Sequence, residues 1–141
     1  MSKMSLDKAE ILASQLRSQL RISSTEPVNV KIIVRMLGIL AVYRPLSDTL
    51  YGSSMKSADG KGRFVLVNSN SMIGRQNFTI AHELYHLYFD EDPQPHFCRK
   101  GQLDDAERSA NIFAGAFLMP KLGLIQHIPD KELLTRNITL N

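Results

Sequence analysis

Residues 73–89 read Ile-Gly-Arg-Gln-Asn-Phe-Thr-Ile-Ala-His-Glu-Leu-Tyr-His-Leu-Tyr-Phe. Phe78, Ala81, Tyr85 and Phe89 recur at intervals of three and four, the apolar stripe of a helix over Ile73 to Phe89. His82 lies on the margin of that stripe and shares a face with His86, four residues on, so both imidazoles can address one divalent ion. Glu83 is turned by ~100° from His82 and so reaches beside such an ion instead of in line with it. This division of labour suits metal-assisted hydrolysis. The ion lowers the pKa of its water towards ~7 and polarises a carbonyl, while a carboxylate takes and returns the proton. The competing reading is a pair of helix histidines satisfied by hydrogen bonds at a core edge. Semi-buried imidazoles without a ligand would need several polar partners, which favours the metal.

Outward from that helix, Asp90-Glu-Asp-Pro-Gln-Pro95 ends it, and everything beyond Ser71 reads as helical. A second helix runs from Asp104 to Met119 and stops at Pro120, with shorter helical turns expected towards the C-terminus. Upstream, Leu6 to Leu20 has helical spacing, and Asn29 caps a short helix over Val30 to Leu37 that Gly38 stops. Ile39 to Tyr43, Tyr51 to Lys56 and Arg63 to Asn68 read as strands, the last preceded by the turn Ala58-Asp-Gly-Lys-Gly62. With no repeat and no linker, this order predicts one α+β domain over residues 1–141, mostly helical with a small antiparallel sheet.

Composition excludes several classes. Of 141 residues, 43% are hydrophobic and 22% charged, so a packed core is expected and disorder is not, except at the ends. The 17 Lys and Arg give a net charge of only +3 and are scattered, so direct nucleic-acid binding is not expected. Val28 to Ile39 loosely suggests a helix-turn-helix element but lacks a basic recognition helix. One cysteine, Cys98, suits a reducing compartment, and no secretory or membrane-spanning segment is legible, which predicts a cytoplasmic protein.

A catalytic zinc site needs a third protein ligand. The metzincin extension would place Gly and His where this chain has Phe89 and Asp92, which leaves Asp92 a weak candidate. His96 and Cys98 follow Pro93 and Pro95 in a stiff loop of uncertain reach, and surface or core filling is the favoured role for both. Glu107 is the better candidate: with Ala110, Asn111, Ala114 and Leu118 it shares a face whose small residues would let the second helix pack closely on the first. Asp104-x-x-Glu107 also reads as a capping box. Spacing leaves the two readings of Glu107 level.

Arg75-Gln-Asn-Phe-Thr-Ile-Ala81-His-Glu-Leu-Tyr-His86 and Glu107-Arg-Ser-Ala110-Asn111-Ile-Phe113-Ala114, closing on Leu118-Met-Pro120, resemble the two signatures of the ImmA/IrrE metallo-endopeptidases. Pro27-Val-Asn-Val, Leu37-Gly-Ile39, Gly52 and Val67-Asn68 follow the same order upstream, so the likeness covers nearly the whole chain. The resemblance implies a zincin-like fold and a gluzincin-type site, with His82, His86 and Glu107 as metal ligands and Glu83 as general base. It implies zinc, with manganese or iron also accepted by such a donor set. It further implies an intracellular protein substrate, a helix-turn-helix transcriptional repressor or an antitoxin. Two departures stand out. Tyr85 occupies a position where the family often has glycine, and its ring is expected to pack. The chain ends at Asn141 where relatives commonly continue, which is read either as trimming there or as a minimal protease.

Asn111 is a candidate outer-shell donor. Tyr43, Tyr51, Tyr85 and His96 are the candidates for stabilising an oxyanion. Strand Phe64 to Asn68 is a candidate edge for an extended substrate. The rival to a protease is a non-catalytic metal-containing module that sequesters a regulatory protein.

Overall fold

The structure, a computed structural model, describes residues 3–23, 26–92, 94–102 and 104–119, the first five by backbone alone. Its elements are α1 (Lys3–Gln19), α2 (Val30–Met36), β1 (Leu40–Arg44), β2 (Leu50–Lys56), β3 (Arg63–Asn68), α3 (Ile73–Tyr88), β4 (His96–Arg99) and α4 (Asp105–Leu118). The α+β class and the zincin-like arrangement are those expected. Asn29 caps α2 as expected, its side chain accepting from the Ile32 amide. The helical turns expected after Pro120 lie outside the described residues. No helix among the described residues is long and apolar enough to cross a membrane.

Two expectations need correction. The sheet is mixed: its order is β1-β3-β2-β4, with β1 parallel to β3 and the other two ladders antiparallel. Residues 45–49 carry the chain from β1 across a one-strand gap, and the β2–β3 hairpin then folds β3 back into that gap. This makes β3 run the same way as β1 and leaves it central, so it is not an edge for substrate. Asn68, at the end of β3, secures the crossover. Its Oδ1 accepts from the Leu46 and Asn70 amides, and its Nδ2 donates to the Ser47 and Leu50 carbonyls. The second correction is β4, which interrupts the expected run of helices and pairs with β2.

Helices and sheet meet over one core. Val65 and Val67 of β3, Ile80 and Leu84 of α3, and Phe113 and Phe117 of α4 are fully buried. Ala110 and Ala114, also fully buried, give α4 the small-residue face expected where it packs on α3. Gly52 allows α3 to lie close on β2, because a Cβ there would sit 2.3 Å from the Leu66 carbonyl oxygen and 2.9 Å from Thr79 Cγ2. Arg17 fastens α1 to the end of α4: its buried guanidinium donates to the Phe117 carbonyl at 2.6 Å and to those of Ser23 and Glu26. The long helices are thereby fixed to each other and to the sheet around one junction, where α3, α4 and β4 converge.

Candidate metal centre

The 3.6-residue period of α3 sorts its three motif residues between two neighbours. His82 and His86 face α4, while Glu83 faces the sheet; all three are buried. His82 Nδ1 meets Asn111 Oδ1 at 2.8 Å, and His86 Nδ1 meets Asp90 Oδ2 at 2.9 Å. Both oxygens only accept, so each Nδ1 donates its proton and each Nε2 of a neutral ring keeps its lone pair. Those Nε2 atoms lie 2.8 Å from Glu107 Oε2 and 3.2 Å from Glu107 Oε1.

Distance alone would make these contacts hydrogen bonds, but their alignment does not. Both Nε2 atoms are buried and lack a hydrogen-bond partner of acceptable geometry. Two lone-pair nitrogens and a carboxylate thus crowd one point without a proton bridging them, which is the donor arrangement a divalent cation requires. Donor atoms on one tetrahedral zinc, at 2.0–2.2 Å from it, are about 3.3–3.6 Å apart, so the 2.8 and 3.2 Å spacings would admit the ion after a small outward shift of the side chains. The residues fit a metal. His82, His86, His96 and Glu107 each bring one donor atom within 4.8 Å of the others.

Glu107 resolves its two readings by dividing them. Its backbone amide donates to Asp104 Oδ1 at 2.9 Å, the N-cap half of a capping box. Its own carboxylate turns to the three imidazoles instead of back to the helix start.

Glu83 is completely buried, and its oxygens are occupied. Ser54 Oγ donates to Oε1 at 3.2 Å, and His96 Nδ1 lies 2.5 and 2.7 Å from the two carboxylate oxygens. His96 Nε2 contacts Glu107 Oε1, so this ring bridges the two glutamates. Burial pulls the His96 pKa down, but the hydrogen bonds and charges of Glu107 and Glu83 prevail and hold it at about 9.

His96, expected to be surface or core filler, instead joins His82, His86 and Glu107 in the cluster. The signal available was the alternation His96-x-Cys98: on β4 these two point inwards, while Phe97 and Arg99 point out. Cys98 is core filler as expected, with burial and the two nearby glutamates pushing its thiol pKa up to about 12. Asp92 is exposed and engaged in the turn after α3. Tyr85 packs: its ring meets Phe113, Phe89 and the edge of His86. Tyr51 lies under the Arg75 guanidinium, 3.5 Å from ring centre to Cζ, and Tyr43 packs on the core from β1. Of the oxyanion candidates, His96 is the one that contacts both glutamates.

Asn111 and Asp90 fix the histidine rings and their tautomers, and such outer partners are worth 10- to 100-fold in metal affinity. Asn111→Leu is expected to weaken zinc binding by about that factor, read by competition with a chromophoric chelator. Unchanged affinity would show that Asn111 is only a packing residue.

A family model described as the IrrE N-terminal-like domain, of the M78 peptidases, matches residues 35–133. No curated protein matches the chain. The matched span runs from the end of α2 past the end of α4 and includes every residue of the cluster.

Proposed function

The chain belongs to the ImmA/IrrE metallopeptidase family, and from that premise we propose that it is a zinc-dependent endopeptidase with Glu83 as general base. The observation that carries the proposal is the convergence of two unbridged imidazole nitrogens on Glu107, with the Glu83 carboxylate alongside. His82, His86 and Glu107 would hold the ion, and manganese is accepted by the same donors. Bound there, the ion supplies Lewis acidity towards the scissile carbonyl and the attacking water.

The rest falls to the chain's own groups. Asn111 and Asp90 keep the histidine Nε2 atoms aimed at one point. Glu83, walled in by α3 and the sheet, takes a proton from water on one carboxylate oxygen and passes it to the departing amide nitrogen. Ser54 orients that carboxylate through its hydrogen bond.

For substrate we propose an intracellular helix-turn-helix repressor or an antitoxin, met in the cytoplasm. A buried, un-ionised Cys98 is compatible with that compartment. Zinc- or manganese-loaded protein, mixed with a helix-turn-helix repressor encoded beside its own gene, is expected to cut it at one peptide bond, and a chelator should stop the reaction. A repressor that stays intact over hours contradicts the substrate assignment.

One observation favours the rival, a metal-containing module that sequesters its regulator without cutting it. The His96 ring lies across Glu83.

A further inference from the structure

His96 is placed differently from every other member of the cluster. Its side chain is 18% exposed, against 4% or less for those of His82, His86, Glu83 and Glu107, so it forms the outer wall of the centre. It is carried by the sheet, at the first residue of β4 opposite Ser54, and not by either long helix. Its ring stacks on His86 with centres 3.5 Å apart and planes 16° apart. Nε2 points at the carboxylate between the two other imidazoles, and Nδ1 spans both oxygens of Glu83.

Two chemical consequences follow from this one ring. With His96 counted, the centre has four protein donors. Zinc sites with four protein donors are closed, whereas catalytic ones keep three and an open position. Meanwhile the oxygens that Glu83 would offer to a water are taken by Nδ1 and Ser54. A role for His96 in stabilising an oxyanion fits poorly, because neither ring nitrogen is left to face a carbonyl oxygen.

We propose that His96 closes the centre, its Nε2 giving up a proton to solvent to become a fourth metal donor while Nδ1 covers Glu83, so that this arrangement is a latent form and the working form has His96 withdrawn. The inference rests on the metal-centre reading above and adds its regulation. The position of His96 makes withdrawal feasible. β4 has four residues, lies at the edge of the sheet and is held by a single ladder, which slips where β2 advances two residues from Leu50 to Gly52 for one step of β4. His96 is the first residue of β4, so it can turn outward while the helical members and the buried Cys98 stay in place.

Cobalt replaces zinc in such sites and reports its coordination by visible absorption. In the unaltered protein one cobalt is expected to bind, with bands that azide does not shift. His96→Ala is expected to bind one cobalt about 10- to 100-fold more weakly, with bands that azide does shift. Zinc K-edge absorption on the unaltered protein, which needs no variant to fold, should count three imidazoles per metal. Azide entering both proteins alike, or two imidazoles at the zinc, overturns this inference and leaves the protease reading standing. An unaltered protein that binds no stoichiometric cobalt overturns both.

Discussion

Glu83→Gln is expected to lower the rate of peptide cleavage by about 10²- to 10⁴-fold while leaving metal content unchanged. The separation of the two effects follows from position. Glu83 contributes no donor atom to the cluster of His82, His86, His96 and Glu107, so the amide cannot remove the ion by removing a ligand. Glutamine matches glutamate in shape, and its carbonyl oxygen can keep the hydrogen bond from Ser54 in the fully buried pocket. What it lacks is the capacity to hold a proton. Single-turnover cleavage at saturating enzyme isolates the chemical step. The same fall is expected in a His96→Ala background, where Glu83 is uncovered. Retained cleavage would remove Glu83 as the base. Retained regulation in the cell, with cleavage abolished, would favour the sequestering module.

The second large effect is that of Glu107→Ala on metal binding. Its carboxylate is the negative charge on which His82 and His86 converge, and its loss leaves neutral imidazoles to hold a divalent ion. Outer partners of metal ligands are worth 10- to 100-fold, so loss of this direct donor is expected to cost about 100-fold or more in zinc affinity. The helix should survive the change. Asp104 still caps α4 through the residue-107 backbone amide, and Ala110, Phe113, Ala114 and Phe117 keep the buried contacts. Far-ultraviolet circular dichroism of Glu107→Ala should therefore be close to that of the unaltered chain. Zinc affinity equal to that of the unaltered chain would show that Glu107 is a cap and an ion-pair partner only.

The parts of this molecule legible in the sequence are those set by local periodicity. The stripe Phe78, Ala81, Tyr85, Phe89 and the small-residue face Ala110, Ala114 specify two helices and their mutual packing without reference to anything distant. The first helix was also legible, although it begins at Lys3 and ends at Gln19, a little earlier than its apolar pattern suggests. What depends on long-range pairing was not legible. No local pattern indicates that residues 45–49 cross a one-strand gap, so the parallel β1–β3 ladder could not be read from strand patterns alone. The satisfied side chain of Asn68, bonded up to 22 residues away, is the physical reason that crossover holds.

The site divides the same way. His82, Glu83 and His86 lie within five residues, and one helical turn brings them together. Glu107 required knowing where α4 lies, and its sequence context fitted a cap equally well, because its backbone does cap. Only the direction of the side chain separates the two roles. His96 was lost because a four-residue strand offers just one alternation, and two nearby prolines argued for a stiff loop. The edge of β2, not any local preference, brings that segment to the histidine and glutamate cluster.

The proposed chemistry depends above all on a metal held where the two histidine Nε2 atoms meet Glu107. Equilibrium dialysis of the purified chain against micromolar zinc, followed by elemental analysis, tests it directly. One zinc per chain is expected for the unaltered protein and for Glu83→Gln, with a value near zero for a His82→Ala, His86→Ala double variant. A folded, unaltered chain that retains no zinc, or a double variant that retains one, would contradict it.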